Sequence, residues 1–219
     1  MGVRNRGKQK DENELECSLK EQSKEFLGWI NLESGYTVLD AGVGEGFFTL
    51  SLARHQKPEI VIGVDLFSYQ LKKAKEELRK EHLLNKVNLI CCDLGHLPIR
   101  DSSIDVAISD FTFHDLLLSR SVQDVINELN RAVKQGKKTV IRNPFLYKTK
   151  NKAEEMYYEG EGFLHELSEA VYKMDVWGIH EIKDYRILLT RAGFKDIQVK
   201  VIKSEVYVQI GRASCRERV

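Results

Sequence analysis

Asp40-Ala41-Gly42-Val43-Gly44-Glu45-Gly46 stands between an apolar run, Thr37-Val38-Leu39-Asp40, and a stretch from Gly46 to His55 that carries Phe47, Leu50 and Ala53. The run reads as a buried strand, and apolar residues three apart read as one face of a helix. Three glycines at the junction leave the turn nearly free of side chains. A ligand there can lie against bare backbone and against the unpaired N–H groups that open the helix. One ligand class is disfavoured at once. A dinucleotide loop needs Gly-x-Gly-x-x-Gly, whose third glycine would fall at position 47, and the residue there is Phe47.

Strand and helix patterns alternate on both sides of the loop. Glu59 to Asp65 reads as a second buried strand, followed by a helix with Phe67, Leu71, Ala74 and Leu78 on one face and an i, i+4 pair, Glu76 and Lys80, on the other. Val87 to Asp93 and Ile104 to Asp110 read as the third and fourth strands. A helix from Val122 to Lys134 is expected to stop at Gly136, and Lys138 to Arg142 reads as the fifth strand. Glu181 to Ala192 has helical spacing closed by Gly193, and Ile197 to Val201 with Glu205 to Val208 alternates like an antiparallel pair. Apolar strands separated this regularly by helices imply a doubly wound α/β fold, its parallel sheet covered on both faces. Ligand sites in such sheets lie beyond the carboxyl ends of the strands, where strand order reverses.

Two segments stand outside this alternation. Glu14 to Asn31 reads as an amphipathic helix behind a polar leader, so residues 1–34 form an N-terminal leader and helix. Residues 144–181 carry Lys148, Lys150 and Lys152, several tyrosines, and a helical stripe of Phe163, Leu167, Ala170 or Val171, and Met174. The stripe alone fits ordinary core, but its place beside the functional edge fits a helical lid insertion.

At 219 residues, 42% hydrophobic and 31% charged, the chain has the profile of one ordinary globular domain. No run approaches the roughly 18 apolar residues of a membrane span, and the first ten residues lack the apolar stretch of a secretory signal, so the expected location is cytoplasmic. Cys17, Cys91, Cys92 and Cys215 have no metal-ligand spacing, and no metal is expected. The tail Gly211 to Val219 resembles the translation of a common short-read sequencing adapter, with Ile210 fitting the codon before it, so residues 210–219 are expected to be foreign to the protein. Without that tail, which holds three arginines and one glutamate, the formal charge goes from +1 to −1. Neither value gives an electrostatic reason to expect a nucleic-acid or anionic-membrane partner.

The loop from Asp40 to Gly46 resembles motif I of the class I S-adenosylmethionine-dependent methyltransferases, Asp/Glu-x-Gly-x-Gly-x-Gly, at every position. Asp65 stands where that family has the acidic residue for the ribose hydroxyls, and Asp93, followed by Leu94, stands where it has an Asp near the adenine amino group. Ile104-Asp105-Val106-Ala107 is similar to its fourth strand. Glu128 to Lys137 is similar to its Glu-x-x-Arg segment, with Gln135 where proline is usual, and Arg191-Ala192-Gly193-Phe194 to its Ala-Gly-Phe turn. The resemblance covers about residues 35–209. It implies a Rossmann-like sheet of seven mostly parallel strands with an antiparallel last strand, and S-adenosyl-L-methionine as cofactor. The cofactor contacts it implies are Asp40, Gly42, Gly44, Gly46, Asp65, Leu66, Asp93, Leu94 and Ser109. Structural roles are open for the same carboxylates: Asp40 capping the turn, Asp65 capping a helix from Leu66, Asp93 shaping a turn, and Asp105 acting within the strand.

Ser109-Asp110-Phe111-Thr112-Phe113-His114-Asp115-Leu116 resembles the Phe-x-Leu-His-His stretch of small-molecule methyltransferases of the quinone and sterol type. This implies a pocket walled by Phe111 and Phe113, with His114 taking a proton from a hydroxyl or ring carbon. Asp110 is the second catalytic candidate, and a histidine that only hydrogen-bonds backbone is the competing reading of His114. The amino-methyltransferase signature Asn/Asp-Pro-Pro-Tyr/Phe is absent after the fourth strand, and Asn143-Pro144-Phe145 follows the fifth. The expected function is methyl transfer to a small-molecule acceptor on O, N or C. The alternatives are an RNA or protein methyltransferase, served by Lys148, Lys150 and Lys152, or a non-catalytic partner subunit of the same fold.

Overall fold

A computed structural model describes residues 26–55, 58–113, 116, 122–144, 182–202 and 205–210. The expectations for the leader, the lid, His114 and the tail beyond Ile210 fall outside these residues. The elements are α1 (residues 26–30), β1 (Thr37–Ala41), α2 (Phe47–His55), β2 (Ile60–Asp65), α3 (Ser68–Lys80), β3 (Val87–Cys91), β4 (Ile104–Asp110), α4 (Val122–Ala132), β5 (Val133–Pro144), α5 (Ile182–Arg191), β6 (Ile197–Ile202) and β7 (Glu205–Ile210). The strands form one sheet in the order β3-β2-β1-β4-β5-β7-β6. β1 pairs in parallel with β2 and β4, β2 with β3, and β4 with β5; β7 runs antiparallel to both β5 and β6. Strand order reverses beside β1, so the carboxyl ends of β1 and β4 mark the ligand-binding edge.

Successive strand residues alternate between two cores because side chains alternate across a sheet. Val38, Val61, Val106, Ile108 and Val140 pack with Phe26, Leu27 and Ile30 of α1, Leu52 of α2 and Leu78 of α3. Leu39, Ala41, Val64, Ala107 and Ile141 pack on the other face with Val125, Ile126 and Leu129 of α4 and Leu189 of α5. Helices on both faces complete the doubly wound α/β arrangement. Among the described residues no helix is long and apolar enough to cross a membrane.

Three local expectations are corrected. Phe67 does not sit on the buried face of α3: it precedes the helix in extended conformation and is half exposed, while Leu71, Ala74 and Leu78 are buried. Lys80 reaches Glu77 at 2.5 Å, one position nearer than Glu76. The helix expected to run to Lys134 ends at Ala132, and the chain enters β5 directly at Val133.

The physical reason for the last difference is a bulge. β4 advances from Ile104 to Val106 while β5 advances from Val133 to Lys138, and Gly136 takes up the slack at φ 77°. The looped-out lysines turn to Asp105: Lys134 Nζ lies 2.9 Å from its carboxylate and Lys137 Nζ 4.0 Å, while the Thr37 N–H donates to Oδ2 at 3.1 Å. Partial burial works against this carboxylate, but Lys134, the Thr37 N–H and Lys137 outweigh it and hold Asp105 below its ordinary pKa. Asp105 is therefore structural. The closure of α5 by Gly193 holds as expected: at φ 89° its N–H bonds the Thr190 carbonyl at 3.0 Å, and the Phe194 N–H bonds Leu189 at 3.1 Å, a Schellman turn.

Candidate cofactor and acceptor site

The glycine loop is folded down onto β2, since the Gly42 and Val43 N–H groups both donate to the Val64 carbonyl, at 2.8 and 3.1 Å. All three glycines have positive φ, but their surroundings differ. A Cβ on Gly42 would lie 2.0 Å from Thr112 Oγ1, and one on Gly46 would lie 2.8 Å from the Ala74 Cβ, so these two glycines let other parts of the protein approach. A Cβ on Gly44 would meet nothing within 4 Å among the described residues. The middle of the loop is thus an open backbone cradle, the surface a nucleoside-bearing cofactor needs.

Asp65 closes β2 beneath this cradle. Its Oδ2 accepts the Gly44 N–H at 2.8 Å and its Oδ1 accepts the Phe67 N–H at 2.9 Å. Each oxygen keeps a further lone pair for a hydroxyl donor. The expected cap is corrected: the helix starts at Ser68 rather than Leu66, its N-cap is Phe67 without a side-chain cap bond, and Asp65 instead holds the turn that leads into it. Leu66 is 44% exposed at the same edge.

Asp40 is buried, accepting a 2.5 Å hydrogen bond from Thr49 on Oδ2, while its Oδ1 has no partner among the described residues. Burial pushes its pKa up to about 7; the Thr49 hydrogen bond opposes this, and the nearby charges of Asp110 and Asp65 add to it. Asp40 thus points into α2 instead of capping the turn. The orphaned Oδ1 leaves a buried carboxylate whose charged form a cation within reach would stabilise.

The remaining expected contacts have clear local roles. Asp93 accepts the Gly95 N–H at 2.8 Å and shapes the turn after β3, and the Leu94 side chain is buried in the core. Ser109 is fully buried on β4 with no partner for its hydroxyl among the described residues. Asp110, expected as a possible base, holds Arg142 of β5 in a two-point fork, with Nε to Oδ1 at 2.5 Å and Nη2 to Oδ2 at 2.7 Å. Phe113 does not wall an open pocket: it is fully buried in the core, whereas Phe111 is half-buried.

Three functional-edge residues escaped the sequence reading: Thr49, Thr112 and Arg142. Thr49 had a signal, a hydroxyl among the buried apolar residues Phe48, Leu50, Leu52 and Ala53 of α2. Arg142 had a stronger one, a charge at the end of an apolar strand, which burial permits only beside a counter-charge.

Residues 39–141 match the family model described as a methyltransferase domain. An arsenite methyltransferase of Halobacterium salinarum is 34% identical over 108 residues, which are 49% of this chain and 27% of that protein. A demethylmenaquinone methyltransferase of Lactiplantibacillus plantarum is 30% identical over 118 residues, 53% of this chain and 48% of that protein. The chain therefore spans half or less of the length of these curated relatives. A solved phosphoethanolamine N-methyltransferase 2 of Haemonchus contortus, in complex with S-adenosyl-L-methionine, superposes with a TM-score of 0.69 at 17% identity, covering 89% of this chain and 53% of that one. Residues 39–141 are thus similar in sequence to methyltransferase domains, and the solved structure shares the fold.

Proposed function

We propose that this chain binds S-adenosyl-L-methionine over the Asp40 to Gly46 loop and transfers its methyl group to a small-molecule acceptor. The observation that carries the cofactor reading is the open cradle at Gly44, with the Asp65 carboxylate pinned beneath it by the Gly44 N–H. When bound, the cofactor supplies an electrophilic sulfonium methyl that needs no further activation. The work left to the protein is alignment and, for some acceptors, removal of a proton. Gly44 admits the ligand to the backbone, Asp65 receives the ribose hydroxyls, and the buried Asp40 carboxylate offsets the cofactor's positive charge.

The small-molecule reading rests on the post-β4 segment and on the relatives, which are named for arsenite and demethylmenaquinone. His114 is the candidate base. Asp110 is committed to Arg142 and orients the segment instead of taking a proton. Calorimetry with S-adenosylhomocysteine tests the first half of the proposal: binding is expected, and no heat alongside tight NAD binding would sink it. Incubating the protein with methyl-labelled S-adenosylmethionine and a cell extract, then separating metabolites from RNA and protein, tests the second. Label in RNA or protein alone would refute a small-molecule acceptor. His114→Gln should lower turnover about 10²-fold or more for a hydroxyl or carbon acceptor while sparing cofactor affinity; full turnover with an intact acidic limb of the pH profile would remove His114 from the mechanism.

A further inference from the structure

Asp110 and Arg142 stand opposite each other in the β4–β5 register, at the last described pair before the chain leaves β4. The guanidinium is almost wholly buried, holds the Asp110 carboxylate at two points, and lies 4.6 Å from the Phe26 ring centroid and 4.9 Å from that of Phe111. Both distances are within cation–π range. The backbone of the same residue also takes part: the Phe111 N–H donates to the Arg142 carbonyl at 2.8 Å. Phe111 needs this support because it sits at φ 50°, a left-handed conformation costly for an aromatic residue.

The next residue carries the constraint to the glycine loop. Thr112 Oγ1 has one proton and two acceptors in reach, the Asp110 carbonyl at 3.2 Å and the Gly42 carbonyl at 3.4 Å. It occupies the space a Cβ on Gly42 would need. One side of Gly42 is therefore bonded to β2 through Val64, and the other is covered by a residue whose place is set from β5.

We infer that Arg142 is a positioning residue, holding the Phe111–Thr112 turn so that residues Phe111 to Phe113 and the cofactor loop respond as one unit. A ligand that stiffens the glycine loop is then felt at Thr112, and the acceptor-side segment is set in place by cofactor occupancy. Arg142 contributes a bidentate fork, two ring contacts and a backbone bond. They converge on the one strained turn that touches Gly42. The ligand-dependent half of this inference rests on the cofactor reading above.

Residue-resolved hydrogen exchange tests it. In ligand-free protein, Arg142→Lys keeps the charge but loses the fork, and should speed exchange at the Phe111 to Phe113 amides about tenfold while leaving Ile108 and Val140 unchanged. Saturating S-adenosylhomocysteine should slow the same amides of the wild type about tenfold, within the ordinary range of coupling between two sites. That response should be lost in Thr112→Ala and kept in Thr112→Ser, a pattern that general stiffening of the fold would not produce. Should Arg142→Lys not fold, the pair removed as a unit, Arg142→Met with Asp110→Leu, serves for the ligand-free comparison. Unchanged Phe111 exchange in these variants overturns the positioning role. Ligand protection confined to Gly42 to Gly46 overturns the coupling. A protein that gives no heat with S-adenosylhomocysteine refutes the cofactor reading and the coupling with it, and the ligand-free comparison still decides whether Arg142 holds the turn.

Discussion

Asp40 has one carboxylate oxygen on Thr49 and the other buried without a partner among the described residues, and its pKa is pushed up to about 7. The ordinary value is 3.8, so the folded chain holds this proton more tightly than the unfolded chain does. The resulting stability is fully present below pH 3.8 and is lost as pH rises through about 7. At about 1.4 kcal/mol per pKa unit, the stake is on the order of 4 kcal/mol. Asp40→Asn should therefore stabilise the ligand-free protein at pH 8 and flatten this part of its stability profile, measured as urea midpoints from pH 4 to 8. A wild-type slope persisting unchanged in the variant would show that Asp40 ionises freely. Because the cofactor is cationic, the same variant should bind S-adenosylmethionine more weakly than wild type at pH 8, and the difference should shrink towards pH 5. Asp65 is the complementary case. Removing its carboxylate in Asp65→Ala leaves the Gly44 and Phe67 N–H groups without their acceptor and should weaken S-adenosylhomocysteine binding by about 1–3 kcal/mol, read by calorimetry. Both carboxylates were legible in the sequence because glycines and strand ends flank them. What each bonds to was not, since Thr49 and the Gly44 N–H meet them only after the loop folds back.

The glycine loop and α4 show how element-level packing divides these roles. Gly46 faces Ala74 of α3 and Gly44 faces open space, so the same substitution has different consequences at the two positions. Gly46→Ala, with its Cβ 2.8 Å from the Ala74 Cβ and φ at 91°, should lower stability by about 1–3 kcal/mol in chemical denaturation. Gly44→Ala should cost only about 1 kcal/mol of backbone strain, yet weaken S-adenosylhomocysteine at least about tenfold by filling the cradle. Equal effects of the two on stability and binding would refute this division. On α4, Arg131 donates to the Leu97 carbonyl at 3.0 Å, the Ile99 carbonyl at 2.7 Å and Glu128 at 2.7 Å. The Leu97 N–H in turn donates to Glu128 at 2.9 Å. The Glu-x-x-Arg pattern is thus a clamp on the loop after β3, and Arg131→Ala should lower the melting temperature by several degrees, at about 2–4 °C per kcal/mol for a chain of this size. The spacing of this pair was visible in the sequence, but not the end of its helix. Val133 and Lys134 continue an acceptable helical pattern, and the pairing of Lys134 with Asp105 of the neighbouring strand, in the bulge that starts β5, is not visible in that pattern.

Across the whole sheet, the order β3-β2-β1-β4-β5-β7-β6 brings Asp40, Asp65 and Asp110 to one edge from three strands far apart in sequence. The alternation of apolar runs and helices made the α/β class legible, because parallel strands are buried on both faces and carry unbroken apolar stretches. Pairings that create the site, Asp110 with Arg142 and Thr112 with Gly42, depend on which strands become neighbours, and periodicity does not encode that. The strand next to the sheet's far edge supplies a last test. Residues 210–219 were expected to be dispensable as a unit, yet Ile210 ends β7 and pairs with Thr139 of β5 and Ile197 of β6. We therefore propose Gly211, the first residue beyond the described strand, as the start of the dispensable stretch. A chain ending at Ile210 should melt within a degree or so of the full chain and bind S-adenosylhomocysteine equally. A chain ending at Gln209 should lose up to about 1 kcal/mol, the worth of a cross-strand contact at the end of a ladder. A drop of several degrees on ending the chain at Ile210 would mean that Gly211 to Val219 packs against the domain, and the adapter-like stretch would then have to be counted as part of the fold.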